Sequence, residues 1–193
     1  RAEQDAFAMT SQTRAAAAIR DGRFEDQITP VSVKVKRDKV DFICDEHPKQ
    51  TDEAALAGLR PVFQKDGSVT AGNASGINDG AAALVLAQAS AAQMAGLRPR
   101  ARVLGYAHAG VRPAVMGIGP IPAVQNLLQK TGLTVEDFDV IESNEAFAAQ
   151  ALAVNKALGL DAARVNPNGG AIALGHPVGA TGAILVIKAL HEL

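Results

Sequence analysis

The apolar positions of this chain switch between two periods. Over residues 2–21 they recur at helical spacing, with Ala15, Ala18 and Ile19 on one stripe and Gly22 as a stop. From Ile28 to Val35 the period falls to two, which places Val31, Val33 and Val35 on one face of a strand. Residues 38–66 lose both periods, and a polar excursion of that length marks a functional or subdomain loop. Small residues then take over in SVTAGNASGI, Ser68–Ile77. Ala81–Ala87 is a short apolar run that predicts a buried strand, Ala89–Ala95 predicts a helix ended by Gly96, and Arg102–Ala107 predicts another strand. Pro122 suits the first position of a helix running to Gly132. Thr134 suits a cap before a strand at Phe138–Glu142. Ala146–Leu158 predicts a helix stopped by Gly159, Val165-Asn166 a short strand before a glycine-rich loop, and Ala180–Leu193 a final helix. Strands alternating with helices give an α/β class, helices layered on a sheet, with a divide near Arg98–Pro99.

Composition changes this picture little. Hydrophobic residues make up 48%, charged residues 20% and aromatics 4%, a globular balance in which small side chains allow close helix–sheet packing. The net charge of −1 gives no overall pull toward polyanions. Lys34, Lys36, Arg37 and Lys39 cluster, but Asp38 and Asp41 break the run and no stacking aromatics accompany it. A solvated strand or hairpin edge is therefore favoured over a nucleic-acid surface. The single cysteine, Cys44, precludes a disulfide within the chain and fits a reducing, cytoplasmic compartment. No apolar run approaches the roughly 20 residues that span a bilayer. The chain opens without Met and in the middle of a helical pattern, so it reads as a piece of a longer protein.

Three segments carry candidate chemistry. In Asn166–Gly182, NPNGGAIALGHPVGATG, the glycines permit close approach of a ligand or a second backbone. Pro177 extends the chain at His176, which then sits at a loop-to-helix junction as a neutral imidazole able to accept a proton. A structural histidine in a tight turn is the competing reading, and the glycine density favours the catalytic one. In Glu142–Ala148, Asn144 lies at a strand end, where ligand sites of α/β sheets gather, and its amide can hold a water or a carbonyl. Taken alone, the segment is better explained by a helix cap at Asn144 and a first-turn acid at Glu145. In Thr70–Gly80, TAGNASGINDG, small residues let an extended ligand lie along the main chain and Ser75 can donate a hydrogen bond, although a glycine-rich connector is an equal alternative. Gly72 precedes Ser75 by three positions, so this is not a nucleophile elbow. The histidines His47, His108, His176 and His191 show no metal-ligand spacing.

Taken together, Gly72–Gly76 (GNASG), Val115–Ala123 (VMGIGPIPA), Asn144–Phe147 (NEAF) and Gly175–Pro177 (GHP) resemble the motifs of the thiolases, in the family's order and over essentially the whole chain. The resemblance implies a layered αβαβα fold, incomplete here, with a mixed sheet covered by helices. Residues 1–77 would belong to the loop domain that binds coenzyme A, 78–98 would close the N-terminal half, and 99–193 would form a truncated C-terminal half. It implies Claisen condensation or thiolytic cleavage of a 3-oxoacyl-CoA, with acyl-CoA and coenzyme A as substrates and no permanently bound cofactor or metal. His176 would then be the general base for a cysteine nucleophile, and Asn144 would hold a water in the oxyanion hole. Phe63, Ala71, Gly72 and Ser75 match positions that line the CoA arm, Ala146 and Phe147 match further wall positions, and Lys49 lies where a base could approach the CoA phosphates. The family's two cysteines have no match, since Cys44 stands in the polar context FICDEH. The chain alone is therefore expected to be inactive, and its full-length form to be a homodimer or homotetramer.

Short-chain acetyl-CoA C-acetyltransferase activity is the first functional expectation. The 3-oxoadipyl-CoA thiolase of aromatic degradation is the alternative substrate class. A non-catalytic acyl-CoA or lipid-binding protein is the alternative of another kind. His176 and Asn144 oppose the last, because a binding module needs neither a base nor an oxyanion donor.

Overall fold

The computed structural model describes residues 1–193 and is built around one long helix. Helix α1 (Ala2–Arg20) carries Glu3 and Asp5 in its first turn, where carboxylates complement the helix dipole. It buries Asp5, Ala8, Ser11, Ala15 and Ala18, a stripe advancing three or four residues per step. Ile19 departs from that stripe and is exposed, which corrects the sequence expectation. Small side chains on the buried face let α1 approach α2 (Glu53–Gly58), α5 (Ala148–Leu158) and α6 (Ala171–Leu174). The core they share is small: Ala8, Leu56, Ala148 and Ile172, with Phe7 and Met9 packed against it. No helix is long and apolar enough to cross a membrane.

The sheet is a two-stranded antiparallel hairpin, β1 (Val31–Val35) with β2 (Asp38–Phe42), in the register Val31 to Phe42 and Val35 to Asp38. Lys36 takes a φ of 56° in the connection, and the basic cluster lies around this turn, exposed to solvent. Residues 38–66, read from sequence as irregular, contain β2 and α2. Asp52 starts α2 by accepting the Ala55 N–H at 2.7 Å.

The expected strands at 81–87 and 102–107 pair with nothing in residues 1–193, and their apolar side chains face solvent, Val85 at 95% and Leu86 at 80% exposure. The other two expected strands meet at one parallel bridge, Ile141 to Val165. Three helices begin later or earlier than the pattern predicts. Helix α4 (Pro120–Thr131) starts at Pro120 rather than Pro122, α5 at Ala148 rather than Ala146, and α7 (Thr181–Glu192) at Thr181 rather than Ala180. Helix α3 spans Ala89–Met94.

The glycine-rich loop rests on α1. Gly169 has φ +78°, and a Cβ there would lie 2.7 Å from Ser11 O and 2.9 Å from Ala15 N. Both the left-handed conformation and collision with helix backbone oppose any side chain. Gly169→Ala is expected to destabilise the fold by at least about 2 kcal/mol, read as a fall in thermal midpoint. An unchanged midpoint would show that the loop does not bear on α1.

Candidate functional site

Helix α1 holds the two chemistry-bearing loops from one side. Asn73, fully buried, donates to Asp5 Oδ1 at 2.9 Å and to Ser68 O at 3.0 Å, and its Oδ1 accepts the Thr70 N–H at 2.9 Å. This fixes the Thr70–Gly76 loop. Further along α1, the Ser11 hydroxyl donates to Glu145 Oε2 at 2.6 Å and accepts the Gly170 N–H at 3.0 Å. Glu145 also accepts from Asn166 Nδ2 at 2.8 Å and from the Ile172 N–H at 3.3 Å. It is therefore a buried hub tying the Asn144 segment to the start of α6, not a first-turn acid of the helix that follows it.

Asn166 supplies the next link. Its backbone adopts φ 46°, a region Asn tolerates better than most residues. Its side-chain amide then accepts the Ser143 N–H and donates to Ser143 O, both at 2.8 Å, as a neighbouring strand would. Asn144 follows directly and is thereby held. It is not a helix cap, because α5 begins four residues later. Below this lies a buried ion pair: Lys188 Nζ of α7 donates to Glu142 Oε2 at 2.7 Å and to Gly169 O at 2.6 Å, with side-chain exposures of 6% and 3%. Burial raises the Glu142 carboxyl above its ordinary value of 4.5, and the Lys188 charge and hydrogen bond pull it back.

His176 lies between α6 and α7, five residues before Thr181, half-buried and facing Asn144. Its ring has a partner on each nitrogen: Asn144 Nδ2 stands 3.3 Å from Nε2, and Thr181 Oγ1 stands 2.8 Å from Nδ1. The Thr181 hydroxyl donates to Pro177 O at 3.0 Å. All three contacts hold at once only if Nδ1 carries the proton and donates to Thr181. Nε2 is then a lone pair that accepts from the Asn144 amide. An imidazole in that state takes a proton at Nε2. Once it has done so, Nε2–H and the Asn144 N–H are two donors 3.3 Å apart, close enough to share one oxyanion.

The candidate wall residues divide into two groups. The Ser75 N–H donates to Ala146 O at 3.0 Å, the Ala148 N–H donates to Asn73 O at 2.9 Å, and Ala74 bridges Phe147, so the Ser75 loop is zipped to the NEAF segment. The Phe63 and Phe147 rings meet edge-to-face at 6.1 Å, both exposed. Ser75, Ala146, Phe147 and Phe63 thus converge. Ala71 is exposed beside them. Gly72 faces inward, since a Cβ there would lie 2.6 Å from both Leu56 Cδ2 and Leu59 Cδ1. Lys49 is exposed, and its backbone N–H reaches Gln12 Oε1 on α1 at 3.4 Å, while no hydrogen bond ties it to the Ser75 loop. Cys44 is exposed just past β2.

Thr181, Asn166, Asn78 and His47 were not legible as site residues. Thr181 alone left a local signal, a hydroxyl one helical turn beyond the histidine.

Comparison with known proteins agrees along the whole chain. A family model described as "Thiolase, N-terminal domain" matches residues 1–90, and one described as "Thiolase, C-terminal domain" matches residues 97–193. "Beta-ketothiolase BktB" of Cupriavidus necator is 57% identical over 100% of this chain and 50% of its own length. "Beta-ketoadipyl-CoA thiolase" of Pseudomonas knackmussii is 58% identical over 100% of this chain and 49% of its own. The crystal structure of the Bacillus anthracis acetyl-CoA acetyltransferase superposes with a TM-score of 0.97 at 53% identity, over 100% of this chain and 49% of that one. The chain spans about half the length of the relatives it matches.

Proposed function

The chain belongs to the thiolase family, and on that premise we propose that it is the part of an acyl-CoA acyltransferase that supplies the base and the oxyanion donors for condensing or cleaving a 3-oxoacyl-CoA. The observation that carries this reading is the approach of Asn144 Nδ2 to His176 Nε2 at 3.3 Å, with Thr181 Oγ1 2.8 Å from Nδ1. In thiolysis, His176 Nε2 takes the proton of a cysteine thiol, and the thiolate adds to the 3-oxo carbonyl. The resulting oxyanion accepts from the Nε2–H and from Asn144. Collapse breaks the carbon–carbon bond, keeps the acyl group on the cysteine and expels the enolate of acetyl-CoA, which takes a proton from a second acid that we also assign outside this chain. The thiol of a free coenzyme A then displaces the cysteine and carries off the shortened acyl group. Cys44 does not fit the nucleophile's place, so we assign that role to a cysteine outside this chain, and the chain by itself lacks turnover.

Ser75, Ala71, Gly72, Ala146, Phe147 and Phe63 are assigned to the wall for the pantetheine arm. Convergence of Ser75, Ala146, Phe147 and Phe63 supports this, while the inward face of Gly72 supports it only through packing. Lys49 keeps its assignment to the CoA phosphates on its exposure alone. The family models meet between residues 90 and 97, which supports a divide near Arg98–Pro99 before the 99–193 region, while the split of the first part into 1–77 and 78–98 stays our assignment. Exposed Val85, Leu86, Val103, Leu104 and Tyr106 support burial against the rest of the enzyme or a second copy, in a homodimer or homotetramer. We assign the enzyme to the cytoplasm, and the free, exposed thiol of Cys44 supports a reducing compartment.

The test is a CoA-dependent cleavage assay of the intact enzyme. Acetoacetyl-CoA is expected to be cleaved with a higher kcat/KM than 3-oxoadipyl-CoA. The reverse order would select the aromatic-degradation substrate, and tight acyl-CoA binding with no turnover of either would overturn the enzymatic reading.

A further inference from the structure

One cluster beside the site is unused by the chemistry above. The His176 backbone N–H donates to Asn78 Oδ1 at 3.1 Å. Only an oxygen can accept there, so the amide's orientation is set: Nδ2 points the other way, to His47 Nδ1 at 3.4 Å. His47 Nδ1 must then be an acceptor, which leaves Nε2–H to donate to Ile172 O at 3.2 Å. The pair therefore grips both ends of the Ile172–His176 turn, one at the carbonyl that opens it and one at the N–H of the base itself.

The backbone around the pair is cut to admit it. Gly175 takes φ +94°, and a Cβ there would stand 2.6 Å from Asn78 Oδ1. A Cβ on Gly76 would strike the His47 ring at Cε1 and stand 2.8 Å from Asn78 Oδ1. Ile77 makes a parallel bridge to His176 alongside. The glycines of both motifs thus make room for side chains that fasten one loop to the other. The side chain of His176 has its own partners, so this fastening acts on where the ring stands rather than on its protonation.

We propose that Asn78 is a positioning residue for the His176 base, and that His47 acts through it by holding the amide in the orientation that accepts the His176 N–H. Neither residue touches the reacting atoms. The inference rests on the reading of His176 as base. Displacing such a group by about 1 Å can cost up to about 100-fold in rate without altering substrate binding.

The experiment is a double-mutant cycle in the intact enzyme with Asn78→Ala, His47→Ala and the double variant, following acetoacetyl-CoA cleavage together with hydrogen exchange at the His176 amide. Asn78→Ala is expected to lower kcat about 10- to 100-fold at unchanged KM and to accelerate exchange at that amide. His47→Ala is expected to lose less. The double variant is expected to lose clearly less than the product of the two single losses, because His47 orients Asn78 and both hold the same turn. Asn78→Asp keeps an acceptor oxygen and should restore amide protection. Parental kcat in folded Asn78→Ala, or independent losses that multiply in the double variant, would overturn the proposal. Should Asn78→Ala not fold, His47→Ala decides: parental kcat and parental exchange at the His176 amide would overturn it. An inactive parent enzyme would instead count against the proposed function, while the exchange measurements would still test the clamp.

Discussion

His176→Ala in the intact enzyme is expected to lower kcat for acetoacetyl-CoA cleavage by about 10³-fold, within the range that a positioned acid–base group supplies. The ring sets an acceptor nitrogen beside the Asn144 amide, and the substitution removes the proton acceptor and one oxyanion donor together. The fold should survive it. The backbone N–H of residue 176 keeps its bond to Asn78, and the Ile77 bridge involves main chain only. Thr181 loses its ring partner but keeps Pro177 O. A stopped-flow or steady-state assay beside a thermal scan separates the two effects. A folded variant cleaving at near the parental rate would remove His176 from the role assigned to it.

The longer helices were legible in the sequence because each announces itself locally, whereas α2 and α6, of six and four residues, were not. Helix α1 was placed to within one residue at each end, and Gly132 and Gly159 were correctly read as stops. The strands were less legible, for a physical reason. An apolar run such as Ala81–Ala87 states that a segment requires cover but not what covers it, and no strand in residues 1–193 pairs with it. In β2, only Val40 and Phe42 alternate with polar residues, and two apolar positions in five are too short a run to mark a strand. The hairpin turn was hidden as well, since its positive φ falls on a lysine rather than on Gly or Asn.

The site divides the same way. His176 and Asn144 stood in recognisable motifs, and the structure brings them to 3.3 Å. The residues that hold them in place lie far along the chain: Asn78 is 98 residues from His176, and Ser11 is 134 from Glu145. Contacts over such separations leave no local pattern. Glu145 shows the cost of reading locally, because its charge did suit a helix start, but that helix is α6 in space and not α5 in sequence.

Lys188→Met is expected to be the most destabilising single change in the chain, by about 3–5 kcal/mol at neutral pH, because it strands a buried carboxylate. Lys188 joins three parts at once: α7, the Glu142 end of the segment leading to Asn144, and the loop carbonyl of Gly169. Its removal takes away the attraction that lowers the Glu142 pKa and leaves burial and the charges of Glu145 and Glu192, all of which raise it. The sign of the pH effect follows. A carboxyl whose folded pKa lies above its unfolded value of 4.5 binds its proton more tightly when folded. Its favourable contribution is complete below 4.5 and is lost as pH climbs through the raised value. In the variant that raised value moves further up, so the deficit is largest at neutral pH and narrows on acidification as Glu142 becomes neutral. Glu142→Gln combined with Lys188→Met should recover most of the loss, since no charge then remains buried. Denaturant titrations of the intact enzyme at neutral and at acid pH measure all three. A Lys188→Met deficit under about 1 kcal/mol, or one that does not shrink on acidification, would mean that the ion pair is solvated and does not hold the loop that carries His176.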